Sequence, residues 1–235
     1  MPNTDALWCV VPAAGRGTRV GGDVPKQYLP LAGKALLLHT LDRLAGHPHI
    51  GGLVVALSSS DRLWPGLDSL HGKPVIATKG GAERADSVLS GLRALVDKVA
   101  KTDFVLVHDA ARPCVADADI SRLVDLGVGA GGALLAAPLR DTLKRADADS
   151  RSAATEPRES RWRALTPQMF RYGELVAALE SALREGVAVT DEAMAMERAG
   201  HRPLLVEGAE SNIKVTTPAD FALAEYLLAM ERAQA

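Results

Sequence analysis

Short apolar runs alternate with longer stretches of helical period along most of this 235-residue chain. Six runs have strand length: Leu7 to Pro12, Gly52 to Leu57, Pro74 to Ala77, Phe104 to His108, Gly132 to Pro138 and Pro203 to Glu207. They are nearly continuous in apolar residues, as strands buried on both faces are. Between them the period changes. From Glu83 to Ala100, Val88, Leu89, Leu92, Leu95, Val96 and Val99 share one stripe at helical spacing. Leu36 to Leu44, Ile120 to Leu126, Glu174 to Leu183 and Asp191 to Ala199 repeat that period. A last helix is predicted to open with Thr217 as N-cap and Pro218 in its first turn, running on through Phe221, Leu223, Leu227 and Leu228. Strands and helices in this alternation predict βαβ units: an α/β fold with a mostly parallel sheet flanked by helices.

Asp141 to Arg163 breaks the rhythm, with Asp147, Asp149, Arg151, Glu156, Arg158, Glu159, Arg161 and Arg163 and little apolar content before Trp162. A solvated linker and an extended arm that leaves the domain and returns both fit such a segment.

Charge and cysteine usage narrow the classes. The formal net charge of −2 and an isoelectric point near 6.3 exclude nucleic-acid binding by bulk charge, though a local basic pocket remains open. Only 4% of residues are aromatic, so stacking platforms are scarce. Two cysteines, Cys9 and Cys114, make no disulfide framework and no zinc-type cluster, and a reduced, cytoplasmic setting is expected. No apolar run approaches membrane-spanning length and no export signal is read, so no membrane partner is expected.

Chemistry gathers in a few places. The first strand empties into Pro12-Ala13-Ala14-Gly15-Arg16-Gly17-Thr18-Arg19, followed by Pro25-Lys26-Gln27. Small residues at the carboxyl end of a parallel strand let backbone N–H groups approach phosphate oxygens, and Arg19 and Lys26 supply neutralising charge. The dinucleotide fingerprint fails: Val20 stands at the third glycine and no acidic residue follows the second strand at Ser58-Ser59. That disfavours a dehydrogenase. The Walker pattern fails too, because Gly33-Lys34 precedes Ala35. Gly80-Gly81-Ala82-Glu83-Arg84-Ala85-Asp86-Ser87 opens the longest predicted helix, where Glu83 and Asp86 suit the helix N-terminus but Arg84 needs another explanation. Val107-His108-Asp109-Ala110-Ala111-Arg112-Pro113 ends another strand; Asp109 there is a turn former or a ligand for Mg²⁺ or an acceptor. His108 reads as a satisfied core histidine. Thr190 reads as a helix cap, and Lys214, between Ile213 and Val215, as solvent-facing unless a site claims it. No nucleophile elbow or triad is present, so covalent catalysis is not indicated.

Taken in order, VVPAAGRGTR, PKQYLPLAGK, GGAERADSVLSGL, VLVHDAARP, APLRDTLKR, ALTPQMF, VTDEA and VEGAESNIKVTTPADFALAE resemble the 2-C-methyl-D-erythritol 4-phosphate cytidylyltransferase family over nearly the whole chain. The resemblance implies one Rossmann-like nucleotidyltransferase domain, residues 1–235, with 139–164 as a protruding β-arm clasped in a homodimer. It implies transfer of CMP from CTP to methylerythritol phosphate with Mg²⁺ as cofactor. Arg19, Lys26, Arg158 and Lys214 correspond to the catalytic positions. Ala13, Ala14, Gly15, Gly17, Gly81, Arg84 and Ser87 correspond to the nucleotide pocket, which favours a pyrimidine. Asp109, Arg112, Thr142 and Thr190 fall to the acceptor side, with Asp109 also at the metal. Thr142 and Arg158 would reach the neighbouring subunit's site. Ala82 stands where relatives often carry Asp or Asn, so a side-chain contact to the nucleotide is missing there. The competing readings are a ribitol 5-phosphate cytidylyltransferase and a non-catalytic nucleotide-binding protein; the latter would be expected to lose Arg19, Lys26 or Lys214.

Overall fold

In the computed structural model, residues 6–15 and 24–234 are described. The predicted buried strands pair as expected. The first, β1 (Leu7–Ala13), lies between β4 (Ile50–Leu57) and β7 (Phe104–Val107), parallel to both. Beyond β4 come β6 (Lys73–Lys79), parallel, and β5 (Ser69–Leu70), antiparallel. On the other side β7 pairs antiparallel with β11 (Trp162–Arg171), β11 antiparallel with β8 (Gly132–Pro138), and β8 parallel with β12 (Leu204–Glu207). The eight-stranded order is thus β12-β8-β11-β7-β1-β4-β6-β5. A two-residue ribbon, β2 (Pro30–Leu31) with β3 (Lys34–Ala35), sits outside this sheet.

Alternation along β1 sorts the core into two layers. Leu7, Cys9, Val11 and Ala13 face α1 (Leu36–Gly46) and α3 (Asp117–Ala130), whose Leu37, Leu41, Leu44, Ile120, Leu123 and Val124 are buried with them. Val10, with Val54 and Val105 of the neighbouring strands, faces α2 (Arg84–Arg93), α4 (Tyr172–Arg184) and α5 (Glu192–Arg198) through Leu89, Leu92, Leu175 and Met196. Helices on both faces explain why the strands read as continuous apolar runs. A third cluster joins Leu31, Leu36, Ala111, Cys114 and Val215 to Ala224 and Leu228 of α6 (Pro218–Gln234). Thr217 caps α6 as expected: its Oγ1 accepts from the Asp220 amide, and the Asp220 carboxylate accepts from the Thr217 amide. Both cysteines are buried in the core.

Three expectations change. The helix read from Glu83 to Ala100 stops at Arg93: the Leu95 and Lys98 amides bond to carbonyls three residues back, and Val96 is 64% exposed. Val96, Asp97 and Val99 are weak helix formers, and the tightened turns still bury Leu95. Thr190 is not the cap of α5; Asp191 is, its carboxylate accepting from the Met194 amide at 2.9 Å. The third change is β11, a central strand absent from the six apolar runs read in the sequence. Pro167 obscures it, since proline within a run argues against a central strand. Pairing with β8 lapses between Ala164 and Gln168, so Pro167 sits where no ladder bond is needed.

The charged insert forms a ribbon. β9 (Leu143–Ala146) and β10 (Ser152–Glu156) pair antiparallel, with Asp147 Oδ1 accepting the Asp149 and Arg151 amides at the tip and Arg145 ion-paired to Glu156 at 2.8 Å. Almost every side chain from 141 to 163 is exposed. The domain's stability therefore rests on β11 and the strands around it. Phe170→Ala, which empties a fully buried ring in β11, should lower unfolding free energy by about 3–5 kcal/mol in chemical denaturation.

Candidate functional site

The chain runs from β1 to β4 on one side of the sheet and returns to β7 on the other, so the strand order reverses between β1 and β7. Open α/β sheets form their ligand crevice outside the carboxyl ends of the strands at such a point. Here a cavity of about 280 Å³ occupies that place. Pro12, Ala13, Ala14 and Gly15 line it from β1, Lys26 and Gln27 from the following turn, Gly81 to Arg84 and Ser87 from the start of α2, Asp109 to Ala111 from the end of β7, and Lys214 from the segment before α6.

Local chemistry fixes each wall. Glu83 caps α2 and its amide is in turn accepted by Asp86, a reciprocal capping box that holds the helix N-terminus toward the cavity. Ser87 Oγ accepts from the Gly81 amide at 3.1 Å and donates to the Glu83 carbonyl at 3.1 Å. Gly81 is required by close approach: a Cβ there would lie 2.2 Å from Asp86 Cβ. Gln27 is buried and donates to the Ala13 carbonyl at 2.7 Å, fixing the β1 terminus against the Lys26 turn. Lys26 Nζ reaches the Val215 carbonyl at 2.5 Å.

The floor is a charge cluster. Asp109 is 7% exposed and meets Arg84 Nε at 2.9 Å through Oδ1, and Lys214 Nζ at 2.8 Å through Oδ2; Arg112 Nε lies 3.7 Å from Oδ2. Burial opposes the negative charge, yet Arg84, Lys214 and Arg112 outweigh it and hold the carboxyl well below the usual carboxylate range. Arg84 is also gripped by the fully buried Glu192, Nη1 to Oε1 at 2.6 Å and Nη2 to Oε2 at 3.0 Å. Burial works against the Arg84 charge, and Glu192 and Asp109 more than compensate, raising its pKa. For Arg112, burial prevails and lowers the pKa despite Asp109. Gln168 secures the far end: its side chain donates to Asp191 at 3.0 Å and accepts from the Ala193 amide at 2.8 Å, pinning the α5 terminus that carries Glu192.

The structure thus brings Ala13, Ala14, Gly15, Lys26, Gly81, Arg84, Ser87, Asp109 and Lys214 to one cavity, with Arg112 buried behind Asp109. Lys214 does not simply face solvent; Asp109 claims its ammonium. Gly17 and Arg19 lie outside the described residues. Thr142 and Arg158 line a separate open hollow of about 390 Å³ beside the β9–β10 ribbon, where Arg158 donates to the Arg140 carbonyl. Thr190 is exposed on the loop before α5, against Met194 Sδ at 3.5 Å. Gln27, Gln168 and Glu192 stand inside motifs visible in the sequence, but their partners lie 14 to 108 residues away and nothing in local spacing announces them. Among the described residues no three His, Cys, Asp or Glu side chains form a metal cluster, and Asp109 is the ionised oxygen donor at the floor. No helix among them is long and apolar enough to cross a membrane.

Comparison with known proteins decides the family. Residues 7–230 match the family model for 2-C-methyl-D-erythritol 4-phosphate cytidylyltransferase. The chain belongs to that family. A member from Xanthomonas campestris pv. campestris strain 8004 is 60% identical over 227 residues, spanning 96% of this chain and 86% of the relative. The crystal structure of the Francisella tularensis 2-C-methyl-D-erythritol 4-phosphate cytidylyltransferase superposes with a TM-score of 0.82 at 32% identity, covering 94% of this chain and 99% of that one. The Thermus thermophilus enzyme gives 0.76 at 31% identity over 94% and 98%. The α/β fold expected from the sequence, a large central sheet flanked by helices, is the one these family structures share.

Two measurements probe this cluster. Glu192→Gln removes one charge from a buried, bidentate pair and should lower unfolding free energy by about 3 kcal/mol in urea titration. His108, as expected a core histidine, accepts from Thr166 Oγ1 at Nδ1 (2.9 Å) and faces the Arg112 carbonyl at Nε2 (3.0 Å); burial pushes its pKa down from 6.5 to about 4. Between those values the unfolded chain takes up a proton that the folded chain refuses, so stability is present above pH 6.5 and is lost as pH falls. From pH 7 to pH 5 the native protein should lose about 2 kcal/mol more than a His108→Asn variant.

Proposed function

We propose that the chain transfers CMP from CTP to 2-C-methyl-D-erythritol 4-phosphate, releasing pyrophosphate and forming the CDP-linked methylerythritol of isoprenoid precursor synthesis. The observation that carries this reading is the cationic cluster of Arg84, Arg112 and Lys214 around Asp109 at the strand-order reversal of a cytidylyltransferase-family fold. An oxygen of the acceptor phosphate attacks the α-phosphorus of CTP, a new P–O bond forms, and the bond to the β-phosphate oxygen breaks with its electron pair leaving on pyrophosphate. The acceptor phosphate is already largely dianionic near neutral pH, so no general base is required. Charge neutralisation and alignment supply the catalysis.

Lys26 and Arg19 are assigned to the phosphates of the nucleotide, stabilising charge as it builds on the leaving group. Ala13, Ala14, Gly15, Gly17, Gly81 and Ser87 would hold the nucleoside by backbone contact, and a cavity this small suits a pyrimidine. Arg84 serves the same wall while tied to Glu192. Lys214 and Arg158 are assigned to orient the acceptor phosphate, with Thr142, Thr190 and Arg112 on the acceptor side. Mg²⁺ fits the floor: it takes one or two carboxylates and completes its shell with substrate phosphates. Asp109 stays ionised and has lone pairs beyond those given to Arg84 and Lys214. When bound, the ion would neutralise triphosphate oxygens.

Thr142 and Arg158 flank a two-stranded ribbon with almost no buried side chain, and such a ribbon is at best marginally stable alone in water. A second copy of the chain would cover it, which supports a homodimer with exchanged arms whose Arg158 completes the neighbour's site. Two buried, reduced cysteines accord with a cytoplasmic setting. The test is pyrophosphate release from CTP and Mg²⁺ with methylerythritol phosphate or ribitol 5-phosphate as acceptor. Turnover with the first is expected; turnover with ribitol phosphate alone would overturn the assignment. In the same assay, mixing inactive Arg158→Ala and Arg19→Ala chains should recover activity through one intact site per mixed dimer, and no recovery would defeat arm exchange.

A further inference from the structure

Lys26 stands on a short piece of chain. Residues Lys26–Tyr28 form a single 3₁₀ turn outside the main sheet, closed by the Tyr28 amide donating to the Pro25 carbonyl at 2.9 Å and the Leu29 amide to the Lys26 carbonyl at 3.1 Å. A turn of this length does not hold its own shape in water. Three residues complete one turn of such a helix, so successive side chains point about 120° apart. The three here divide accordingly. Lys26 lines the cavity, buried Gln27 donates through Nε2 to the Ala13 carbonyl at 2.7 Å, and the Tyr28 hydroxyl donates to Asp61 Oδ2 at 2.7 Å.

Both receiving groups are themselves fixed. Ala13 is buried and pairs with Leu57 of β4. Asp61, in the loop after β4, accepts the Leu63 and Trp64 amides through Oδ1 at 2.9 and 3.0 Å, and its own amide donates to the Ser58 carbonyl at 3.0 Å. Trp64 packs against the core layer under β1. Burial, reinforced by Asp61, pushes the Tyr28 phenol pKa up, so the hydroxyl keeps the proton that it donates.

We propose that Gln27 and Tyr28 are positioning residues that brace Lys26 at the cavity, Gln27 against the end of β1 and Tyr28 against the loop after β4. The inference rests on the role given to Lys26 in the activity proposed above. One brace alone would leave the turn free to roll about it; two in different directions fix the backbone from which the ammonium reaches the cavity. Gln27 also borders the cavity, with its amide donor committed to Ala13. Tyr28 is outside the lining, so its hydroxyl can act on the reaction only through the turn. Charge builds on the leaving phosphates in the transition state, and an ammonium out of place therefore costs rate more than it costs nucleoside binding.

Tyr28→Phe removes one oxygen, and Gln27→Met keeps the length of the side chain without its donor. Misplacement of a catalytic group by about 1 Å costs roughly 100-fold in rate, and loss of one brace of two should shift Lys26 by less. We therefore expect kcat for pyrophosphate release to fall roughly 10-fold in each variant, and the dissociation constant of magnesium pyrophosphate to rise roughly 3- to 10-fold. CMP, which lacks the phosphates assigned to Lys26, should bind within about twofold of the native protein. In a Lys26→Ala chain, adding Tyr28→Phe should change pyrophosphate affinity by less than about twofold, because the brace then holds nothing that the ligand touches. An unchanged kcat in either folded variant, CMP affinity falling in parallel with kcat, or a full further loss of pyrophosphate affinity in the Lys26→Ala chain would overturn the proposal. Absence of turnover by the native protein would instead defeat the proposed activity, with the CMP and pyrophosphate affinities still deciding the bracing.

Discussion

A carboxylate that is 7% exposed, its pKa held well below the usual carboxylate range by the cations around it, organises this molecule's chemistry. Asp109 is out of water, and only the opposing charges of Arg84, Lys214 and Arg112 make that tolerable. Each cation arrives from a different part of the chain: the first turn of α2, the segment before α6, and the loop after β7. The requirement to compensate one buried charge therefore draws distant segments to one point. Glu192 extends the pattern by holding the far side of Arg84, so the guanidinium is clamped between two carboxylates at the cavity wall.

Topology decides where this cluster can form. Because β4 and β7 flank β1 on opposite sides, a crevice lies beyond the carboxyl ends of β1 and β7, and small residues keep it open. Ala13, Ala14, Gly15 and Gly81 contribute space and backbone amides; the cations contribute field. With a net charge of only −2 for the chain, the cationic field at the cavity is local rather than a property of the whole surface.

Much of this was legible in the sequence. Continuous apolar runs marked the strands buried on both faces, Glu83 and Asp86 marked the start of α2, and Thr217 with Pro218 marked the start of α6. The small-residue loop and Lys26, Arg84 and Asp109 stood out because strand ends are where such folds gather ligands, whereas Lys214 was marked only by the family resemblance. What stayed hidden was pairing at long range. Arg84 was conspicuous as unexplained by capping, but its partner Glu192 lies 108 residues on. Lys214 could not be told from an exposed lysine until Asp109 was seen against it. Gln27 and Gln168 hold backbone across gaps that no periodicity reveals. β11 was masked by Pro167, whose tolerance depends on a lapse in strand pairing that only the register shows.

That strand also governs the order in which the chain can assemble. β7 and β8 are never neighbours; β11 must come between them, and it is reached only after the arm has been made. On a ribosome, the first strands and their helices can collapse as they emerge, whereas β8 has no partner until residues beyond 162 are free. The second half of the sheet and the floor of the cavity thus form late and together. Nascent chains halted before β11 would carry an unpaired apolar strand, which makes translation through the arm the interval of greatest exposure to aggregation.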